Sequence, residues 1–371
     1  MNRVLIVGGG IAGSALAILL GRGGLDVEIV EINSDVTALG SGITLQGNAL
    51  RVLRDLGVWD EVLPLGYPFD ELGLRAPDGT VLAELPDART GGPDLPATLG
   101  MNRPELAAVL HKAVKDAGAK IRFGLTVDSL TQDGDSVEVA FRDGTTGTYD
   151  LVVGADGISS HIRGLLGIEA ERRPVGMGIW RIHTRRPQAV RRTDLIYGGP
   201  CYIAGYCPTS ETEMYAYLVE KARPKGAVAP ADMAAEMHRL AQGYGGPWEE
   251  IRADLATADP ARINYTWFEA LLVERPWNRG RVVLIGDAAH ACPPTIAQGA
   301  AMCLEDASVL AELVLAGEPD LFERFMDRRL DRVRAVVDAS VQLCEWQLEG
   351  RRDADVPGLM GRVATLLTER P

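Results

Sequence analysis

The chain opens on an apolar run, VLIVGGGIAGSALAILLG, which spans Val4–Gly21 without a charged residue. Its length is marginal for a membrane-spanning helix, which needs about 20 apolar residues, and its three consecutive glycines weaken a helix at that point. The segment LDVEIVE that follows is rich in Val and Ile and alternates as a half-buried strand does. The pattern therefore predicts a strand at Arg3–Val7, a glycine turn, a helix at Ile11–Arg22 and a strand at Val27–Glu31.

The rest of the chain alternates between helical and strand periods. Helical spacing of apolar residues predicts helices from about Asn48 and from Pro104, and turn signals within 67–100 indicate a β-rich excursion. Further strands are predicted at 151–153, 176–184, 196–206, 213–219 and 281–285, with short helices at 231–243 and 247–257. A helical tail is predicted after Pro319, with an apolar stripe that packs within the chain or against a partner subunit: Phe322, Phe325, Leu330, Val333, Val337 and Val341.

This order of elements predicts an α/β protein with a Rossmann-like dinucleotide-binding domain. We assign 1–70, 97–172 and 274–318 to that discontinuous domain. A second domain with a mostly antiparallel sheet is expected from 71–96 and 173–273. The C-terminal helices of 319–371 are expected to pack on the first domain.

Composition narrows the functional classes. The formal net charge of −13 argues against nucleic acid and against an anionic membrane surface, since both require a basic protein face. The five cysteines include no CxxC pair, and they and the five histidines show no metal-ligand spacing. We therefore expect a cytoplasmic monomer or homodimer without a metal, whose partner is a small molecule.

The glycine turn carries the first candidate chemistry, because its spacing GxGxxG lies between a strand and a helix. Gly8 makes the tight turn and Gly10 lets backbone amides approach a pyrophosphate at the helix N-terminus. Gly13 permits close packing of the helix on the sheet. Glu31, 18 residues after Gly13, is placed to accept hydrogen bonds from a ribose diol.

Two further glycine–aspartate turns follow predicted buried strands. The first is GADGISSHIR, with Asp156 and Gly157, and the second is GDAAHACPPTIAQGAAM, with Gly286 and Asp287. A carboxylate at such a strand end can reach the hydroxyls of a sugar or a ribityl chain. The helix after the second turn is predicted to begin near Gly299.

Taken together, the three motifs resemble those of the class A FAD-dependent aromatic monooxygenases, the group of para-hydroxybenzoate, salicylate and 6-hydroxynicotinate hydroxylases. The motifs occur in the family's order and spacing over nearly the full length. The resemblance implies a glutathione-reductase-type FAD domain with an inserted β-sheet substrate domain. It also implies that the following residues bind FAD: Gly8, Gly10, Gly13, Glu31, Arg103, Asp156, Gly157, Gly286, Asp287 and Gly299.

The family's reaction, as the resemblance implies, uses NADH or NADPH to reduce FAD, and dioxygen then forms a flavin C4a-hydroperoxide that hydroxylates an electron-rich ring. A small phenolic or hydroxylated N-heteroaromatic substrate is expected. Two alternatives stay open: a tailoring oxygenase for a larger polyketide or antibiotic, and an FAD-binding protein without oxygenase activity.

Candidate substrate-site residues come from the β-rich region and from the segments around Gln46 and Pro293, which are expected to face it. Tyr215 and Tyr217 share one face of a predicted strand in ETEMYAYLVE. We name Tyr215, Gln46, Cys201 and Pro293 as candidate catalytic residues and Tyr202 and Tyr217 as candidate substrate contacts. His290 is interpreted as structural rather than as a base.

The segment WRIHTRRPQAVRR stands out as basic against an acidic chain. Its arginines are expected either to form a solvated strand end or to dock nicotinamide-nucleotide phosphates or an acidic substrate.

Overall fold

The computed structural model describes residues 1–35 and 42–371. Its α-helices are α1 (Ile11–Arg22), α2 (Gly47–Asp55), α3 (Trp59–Val62), α4 (Arg103–Asp116), α5 (His161–Leu165), α6 (Met233–Ala241), α7 (Trp248–Leu255), α8 (Gly299–Ala316), α9 (Leu321–Leu348) and α10 (Val356–Thr368).

Its strands are β1 (Arg3–Val7), β2 (Asp26–Glu31), β3 (Gly42–Gln46), β4 (Gly66–Phe69), β5 (Glu71–Arg75), β6 (Val81–Pro86), β7 (Thr98–Asn102), β8 (Lys120–Phe123), β9 (Val127–Gln132), β10 (Val137–Phe141), β11 (Thr146–Tyr149), β12 (Leu151–Gly154), β13 (Arg173–Arg185), β14 (Thr193–Tyr197), β15 (Ile203–Pro208), β16 (Glu213–Lys221), β17 (Ile263–Leu272), β18 (Asn278–Arg279), β19 (Val282–Leu284) and β20 (His290–Ala291).

The parallel sheet has the strand order β18-β19-β12-β1-β2-β8, and only its edge strand β18 runs antiparallel to its neighbour. The side chains of β1 and β12 are almost wholly buried, as expected for central strands covered on both faces. Helix α1 packs against α4 and α8. The predicted α/β, Rossmann-like fold class is thereby confirmed.

The antiparallel sheet has the order β20-β17-β13-β16-β15-β14-β5-β6, and β14 and β5 form its parallel pair. One face of this sheet, which we call the helix face, packs against α6 and α7 through side chains such as Met214 and Ala216. The opposite face, which we call the inner face, carries Tyr215 and Tyr217. Two smaller antiparallel sheets, β11-β10-β9 and β3-β7-β4, complete the architecture.

Several element predictions need correction. The strand predicted at 196–206 is divided into β14 and β15, because Gly198 adopts a left-handed φ of 87° in a Gly-Gly-Pro turn. Strand β17 was not predicted, since both of its faces are packed in its second half and the alternation is blurred. Strand β20 joins the antiparallel sheet from within 274–318. The domain bounds as such stay a prediction.

The C-terminal helices pack within the chain. Helix α9 contacts α8, β13 and β17, and α10 packs on α9. The predicted apolar stripe is buried in the main core, apart from the partly buried Phe322. Within residues 1–35 and 42–371, no helix combines the length and the apolar character needed to cross a membrane.

Candidate active site

In the first glycine turn, Gly8 and Gly13 pack closely against protein backbone, whereas the space beside Gly10 is free of protein atoms. Gly8 has a φ of 109°, and a Cβ added there would lie 2.4 Å from the carbonyl oxygen of Ala155. A Cβ on Gly13 would lie 2.0 Å from the carbonyl oxygen of Gly8. A Cβ on Gly10 would meet nothing within 4 Å. Space is therefore left directly over the N-terminus of α1, where backbone N–H groups favour an anion.

Glu31 holds the other side of this turn. Its Oε2 accepts a hydrogen bond from the Gly9 N–H at 2.8 Å, and its Oε1 accepts from the Asn33 N–H at 2.9 Å. The buried His111 contacts the Gly9 carbonyl oxygen through Nε2 at 2.7 Å. Oε1 also accepts from Asn33 Nδ2 at 2.6 Å, whereas among the described residues Oε2 accepts from the Gly9 N–H alone. Oε2 can therefore also receive a ribose hydroxyl.

The second turn is organised around Asp156. Its carboxylate accepts hydrogen bonds from the Ser160 hydroxyl at 2.5 Å and from the N–H groups of His161 and Ile162 at 2.7 and 3.1 Å. The side chain therefore stabilises the start of α5. Gly157, with a φ of 78°, has open space around its α-carbon. Direct cofactor contacts of these two residues stay a prediction.

The third turn is wedged between two helices. Gly286 has a φ of 58°, and a Cβ there would lie 2.9 Å from Cys303 Sγ and 3.1 Å from Ala12 Cβ. The Asp287 side chain beside it is solvent-accessible. The surrounding protein desolvates this carboxylate and raises its pKa, against the opposing influence of His290 and Arg103. Asp287 thus presents an exposed carboxylate beside Cys303 of α8, and we call this region the cleft.

Helix α8 begins at the edge of the same cleft. Its first turn carries no acidic side chain and no side-chain cap, and a Cβ on Gly299 would meet nothing within 4 Å. The positive end of the helix dipole is thus available to a ligand. Pro293 is buried in the preceding loop, and Ala297 adopts a left-handed φ of 54°. Gln46 is held here, because its Oε1 accepts from Gln298 Nε2 at 3.2 Å.

The inner face of the antiparallel sheet lies opposite. The hydroxyl of Tyr215 is 2.6 Å from Thr44 Oγ1, and Thr44 lies two residues before Gln46 on β3. The rings of Tyr215 and Tyr217 are 5.8 Å apart. A Cβ on Gly205 would lie 2.5 Å from the Tyr217 ring, so the glycine leaves room for it. Burial raises the pKa of both phenols, which therefore stay protonated at neutral pH.

Arg103, the first residue of α4, connects the two sides. Its positive charge opposes the rise in the pKa of Asp287 and of Tyr215, and it adds to the lowering of the pKa of Arg181 on β13. Strand β3 joins the two sides, since its Thr44 reaches Tyr215 at 2.6 Å and its Gln46 reaches Gln298, beside the start of α8, at 3.2 Å. The structure brings together Gln46, Arg103, Tyr215, Tyr217, Gly286, Asp287 and Gly299.

Cys201 is not part of this group, and its expected position was wrong. Its N–H donates to the Tyr244 hydroxyl at 2.9 Å, and its side chain packs in the core of the helix face. Burial raises the pKa of its thiol to about 11. We withdraw Cys201 from the candidate catalytic residues. Tyr202 packs at the apolar end of the inner face with Val219, near the end of α9.

A set of charged side chains lies buried behind the third turn, and we call it the buried ion cluster. The Asp306 carboxylate accepts from the Gly286 N–H at 2.8 Å and from Arg329 Nε at 2.7 Å, and His290 Nε2 lies 2.6 Å away. Burial opposes ionisation of Asp306, but His290 and Arg329 outweigh it and bring its pKa to about 2. This agrees with a structural role for His290. The cluster comprises His290, Glu305, Asp306, Arg329 and Arg332.

Thr44, Arg181 and the carboxylates of the buried ion cluster were missed in the sequence analysis. A signal existed for Glu305 and Asp306, since two adjacent carboxylates interrupt an otherwise apolar helical run. Thr44 had no such signal, because only the pairing of β3 against the inner face gives it a partner.

The described residues fit the FAD that the resemblance implies. The positions that exclude a side chain for backbone reasons, Gly8 and Gly13, flank the open Gly10. A ribose acceptor, Glu31, ends the second parallel strand, as the dinucleotide arrangement requires. Asp287 and the uncapped α8 offer a carboxylate and a positive helix end farther along the cleft.

Comparisons with known proteins agree. The sequence model of the FAD binding domain family matches residues 1–340. The chain is 34% identical over 358 residues to 2-heptyl-3-hydroxy-4(1H)-quinolone synthase of Pseudomonas aeruginosa, with 93% of this chain and 90% of the relative covered.

Two solved structures share the fold. HpxO of Klebsiella pneumoniae, complexed with FAD and uric acid, superposes with a TM-score of 0.85 at 24% identity, covering 99% of this chain and 97% of HpxO. A 2-methyl-3-hydroxypyridine-5-carboxylic acid oxygenase superposes with a TM-score of 0.81 at 25% identity, covering 98% and 96%. The chain therefore belongs to the FAD binding domain family and is a FAD-dependent monooxygenase.

Proposed function

We propose that this enzyme hydroxylates a small phenolic or hydroxylated N-heteroaromatic ring, with NADH or NADPH and dioxygen as co-substrates. The observation that carries the proposal is the position of the inner face, because β3 connects its Tyr215, through Thr44, with Gln298 at the start of α8, through Gln46. Relatives support it, because the quinolone synthase and the hydroxypyridine oxygenase are both named for N-heteroaromatic rings that carry oxygen.

The chain's own residues supply binding, orientation and exclusion of water. The Gly8–Gly13 turn and Glu31 would hold the ADP portion of FAD, and Asp287 would hold its ribityl chain. When bound and reduced, FAD supplies activated oxygen for transfer to an electron-rich ring. The N-terminus of α8 would stabilise negative charge near the reacting centre. The packed rings of Tyr215 and Tyr217 would cover the ring from the sheet side and limit water.

Tyr215→Phe is expected to lower kcat/KM about ten- to hundredfold while the FAD content stays that of the wild type. The variant removes a hydroxyl that can hydrogen-bond an ionised ring oxygen, an interaction worth about 1.5–3 kcal/mol. Because the pKa of Tyr215 is raised, this phenol is not the base, and the shape of the pH–rate profile between about pH 6 and 9 is unchanged.

Steady-state kinetics and flavin absorbance measure both effects. Tyr265→Phe is the matched control, because Tyr265 packs against the helix-face core and its hydroxyl accepts from a backbone N–H. Thr44→Val, which removes the partner of Tyr215, should move kcat/KM in the same direction. Turnover of Tyr215→Phe at the wild-type rate would place the substrate elsewhere.

The function itself is tested by NADH and NADPH oxidation with FAD-loaded enzyme against hydroxybenzoates, hydroxypyridines, 4(1H)-quinolones and larger phenols, with peroxide assayed alongside. The proposal expects at least one small compound to stimulate oxidation with little peroxide. Stimulation by the larger phenols alone would favour a tailoring oxygenase. FAD binding without any stimulated oxidation would contradict the proposed hydroxylation.

A further inference from the structure

A line of hydrogen-bonded polar side chains runs from the buried ion cluster to the cleft. It begins at Glu305 and continues through Asn48 and Gln298 to Gln46. Glu305, Asn48 and Gln298 are at most 1% exposed, whereas Gln46 is half-buried. A side-chain amide has a donor end and an acceptor end, so each residue in the line determines which end the next one turns towards it.

Glu305 fixes the first direction. Its carboxylate accepts from Arg329 at 2.8 Å and from Arg332 at 2.7 Å. Burial opposes ionisation of Glu305, but the two arginines outweigh it and hold its pKa below the ordinary value. An ionised carboxylate has no proton to donate, so Asn48 turns Nδ2 towards it and donates to Oε1 at 3.1 Å.

The amides of Asn48 and Gln298 form a reciprocal pair. Asn48 Nδ2 donates to Gln298 Oε1 at 3.0 Å, and Gln298 Nε2 donates to Asn48 Oδ1 at 3.2 Å. Rotation of one amide alone would set donor against donor and acceptor against acceptor. Rotation of both would preserve the pair but would turn Asn48 Oδ1 towards the Glu305 carboxylate, which repels it. The carboxylate thus selects one of two otherwise equivalent arrangements.

The selected arrangement reaches the cleft at Gln46. Gln298 Nε2 also donates to Gln46 Oε1 at 3.2 Å, so the acceptor end of Gln46 is engaged. Among residues 1–35 and 42–371, no group accepts a hydrogen bond from Gln46 Nε2. Thr44, two residues earlier on the same face of β3, lies 2.6 Å from the Tyr215 hydroxyl. The free N–H donors of Gln46 therefore belong to the strand face that meets the inner face.

We propose that Glu305 is a positioning residue for the substrate site. Through the buried amides of Asn48 and Gln298, it directs the Gln46 side chain to present N–H donors to the ring that binds in the cleft. This inference rests on the proposed hydroxylation and names a property of its substrate. The ring carries a hydrogen-bond acceptor at this position, such as a carbonyl oxygen, and a ring with only a donor there is rejected, because two facing donors leave both unpaired.

The probes are acetophenone, whose carbonyl oxygen only accepts, and aniline, whose amino group mainly donates; both are uncharged at neutral pH. Binding to the FAD-loaded enzyme, without nicotinamide nucleotide, is followed by flavin absorbance. The ratio of the two dissociation constants in wild type is the reference, because the two rings also differ in size. Gln46→Glu replaces the donor by an acceptor and is expected to shift this ratio at least about tenfold in favour of aniline.

Gln298→Met removes the partner of Gln46 without altering Gln46 itself. The Gln46 amide can then rotate, so aniline affinity is expected to rise about three- to tenfold. Acetophenone affinity should fall by no more than about twofold, because half of the amide orientations still present the donor. Gln342→Met is the matched control, since Gln342 contacts Glu345 on α9 at 3.4 Å, and it should bind both probes as wild type does.

Glu305→Gln tests the origin of the direction. The oxygen of the introduced amide is expected to stay with Arg329 and Arg332, so its N–H donors turn to Asn48 and reverse the amides as far as Gln46. The ratio should therefore shift towards aniline although Gln46 is unchanged. FAD content and melting temperature check that each variant is folded, and Gln298→Met and Gln46→Glu carry the test if Glu305→Gln is not.

An unchanged ratio in Gln46→Glu would overturn the proposal. Equal weakening of both probes in Gln298→Met and Glu305→Gln would also overturn it, because a role in packing alone affects both probes together. A change in FAD affinity with an unchanged ratio would overturn it and assign the Gln46 amide to the flavin. Failure of the proposed hydroxylation would appear separately, as no stimulated oxidation by any compound while the ratio shifts as expected.

Discussion

Arg329→Met is expected to lower the melting temperature by about 5 °C, whereas Arg328→Met, at the adjacent position of α9, should change it by no more than about 1 °C. Arg329 is fully buried and donates to Asp306 at 2.7 Å and to Glu305 at 2.8 Å. Arg328 pairs with the exposed Glu312 at 2.9 Å. The same substitution therefore removes a buried ion-pair partner in one case and a surface partner in the other.

The size of the effect follows from the charges left behind. Without Arg329, two fully buried carboxylates lose a shared cation, and an uncompensated buried charge costs about 3–5 kcal/mol. Asp306 would keep His290 and the Gly286 N–H, and Glu305 would keep Arg332. Because Asp306 holds Gly286 in its left-handed turn, FAD affinity should fall as well.

Thermal unfolding of both variants, followed by circular dichroism with FAD in excess, measures the difference. A melting temperature for Arg329→Met within about 1 °C of wild type would mean that the buried ion cluster adds little to stability. The hydrogen bond from the Gly286 N–H to Asp306 would then not explain the placement of the third glycine turn.

Gly10→Ala is expected to weaken FAD binding about ten- to hundredfold while the FAD-free protein keeps its stability. Its φ of −73° and ψ of −168° are extended and suit any residue, and a methyl group there would meet no protein atom within 4 Å. That same space is the one the pyrophosphate would occupy, and overpacking costs about 1–3 kcal/mol. The substitution is therefore expected to destabilise the complex with FAD and not the FAD-free protein.

Gly361→Ala is the matched control, because a Cβ on this helical glycine of α10 also meets nothing within 4 Å and lies far along the chain from the turn. Fluorescence titration of the FAD-free proteins with FAD measures both affinities. Wild-type affinity in Gly10→Ala would show that the pyrophosphate does not approach this turn.

Elements whose sequence pattern is local were the most predictable from the sequence. The strand β1, the helix α1 and the start of α8 at Gly299 agree with the structure because glycine spacing and apolar runs act within a few residues. Contacts between distant segments were not predictable. Thr44 meets Tyr215 across 171 positions, and Cys201 lies on the helix face because of the break at Gly198.

The candidate site residues also differ in how far the sequence alone could predict them. Gly8, Gly13 and Gly286 could be assigned from sequence, since a Cβ at each of these positions would lie within 3 Å of a neighbouring atom. The neighbours of Arg181 could not be assigned in this way, because strand register decides that Tyr217 and Asn264 lie opposite it. Sequence patterns report periodicity, whereas the electrostatics of a site depend on register between strands.

The most direct test of the central claim is hydroxylation under dioxygen labelled with heavy oxygen. FAD-loaded enzyme would be incubated with NADH or NADPH and the compound that stimulates oxidation most, and the product analysed by mass spectrometry. One labelled oxygen atom is expected on the aromatic ring for each nicotinamide oxidised. Unlabelled compound recovered intact, with the oxidised nicotinamide matched by peroxide, would contradict it.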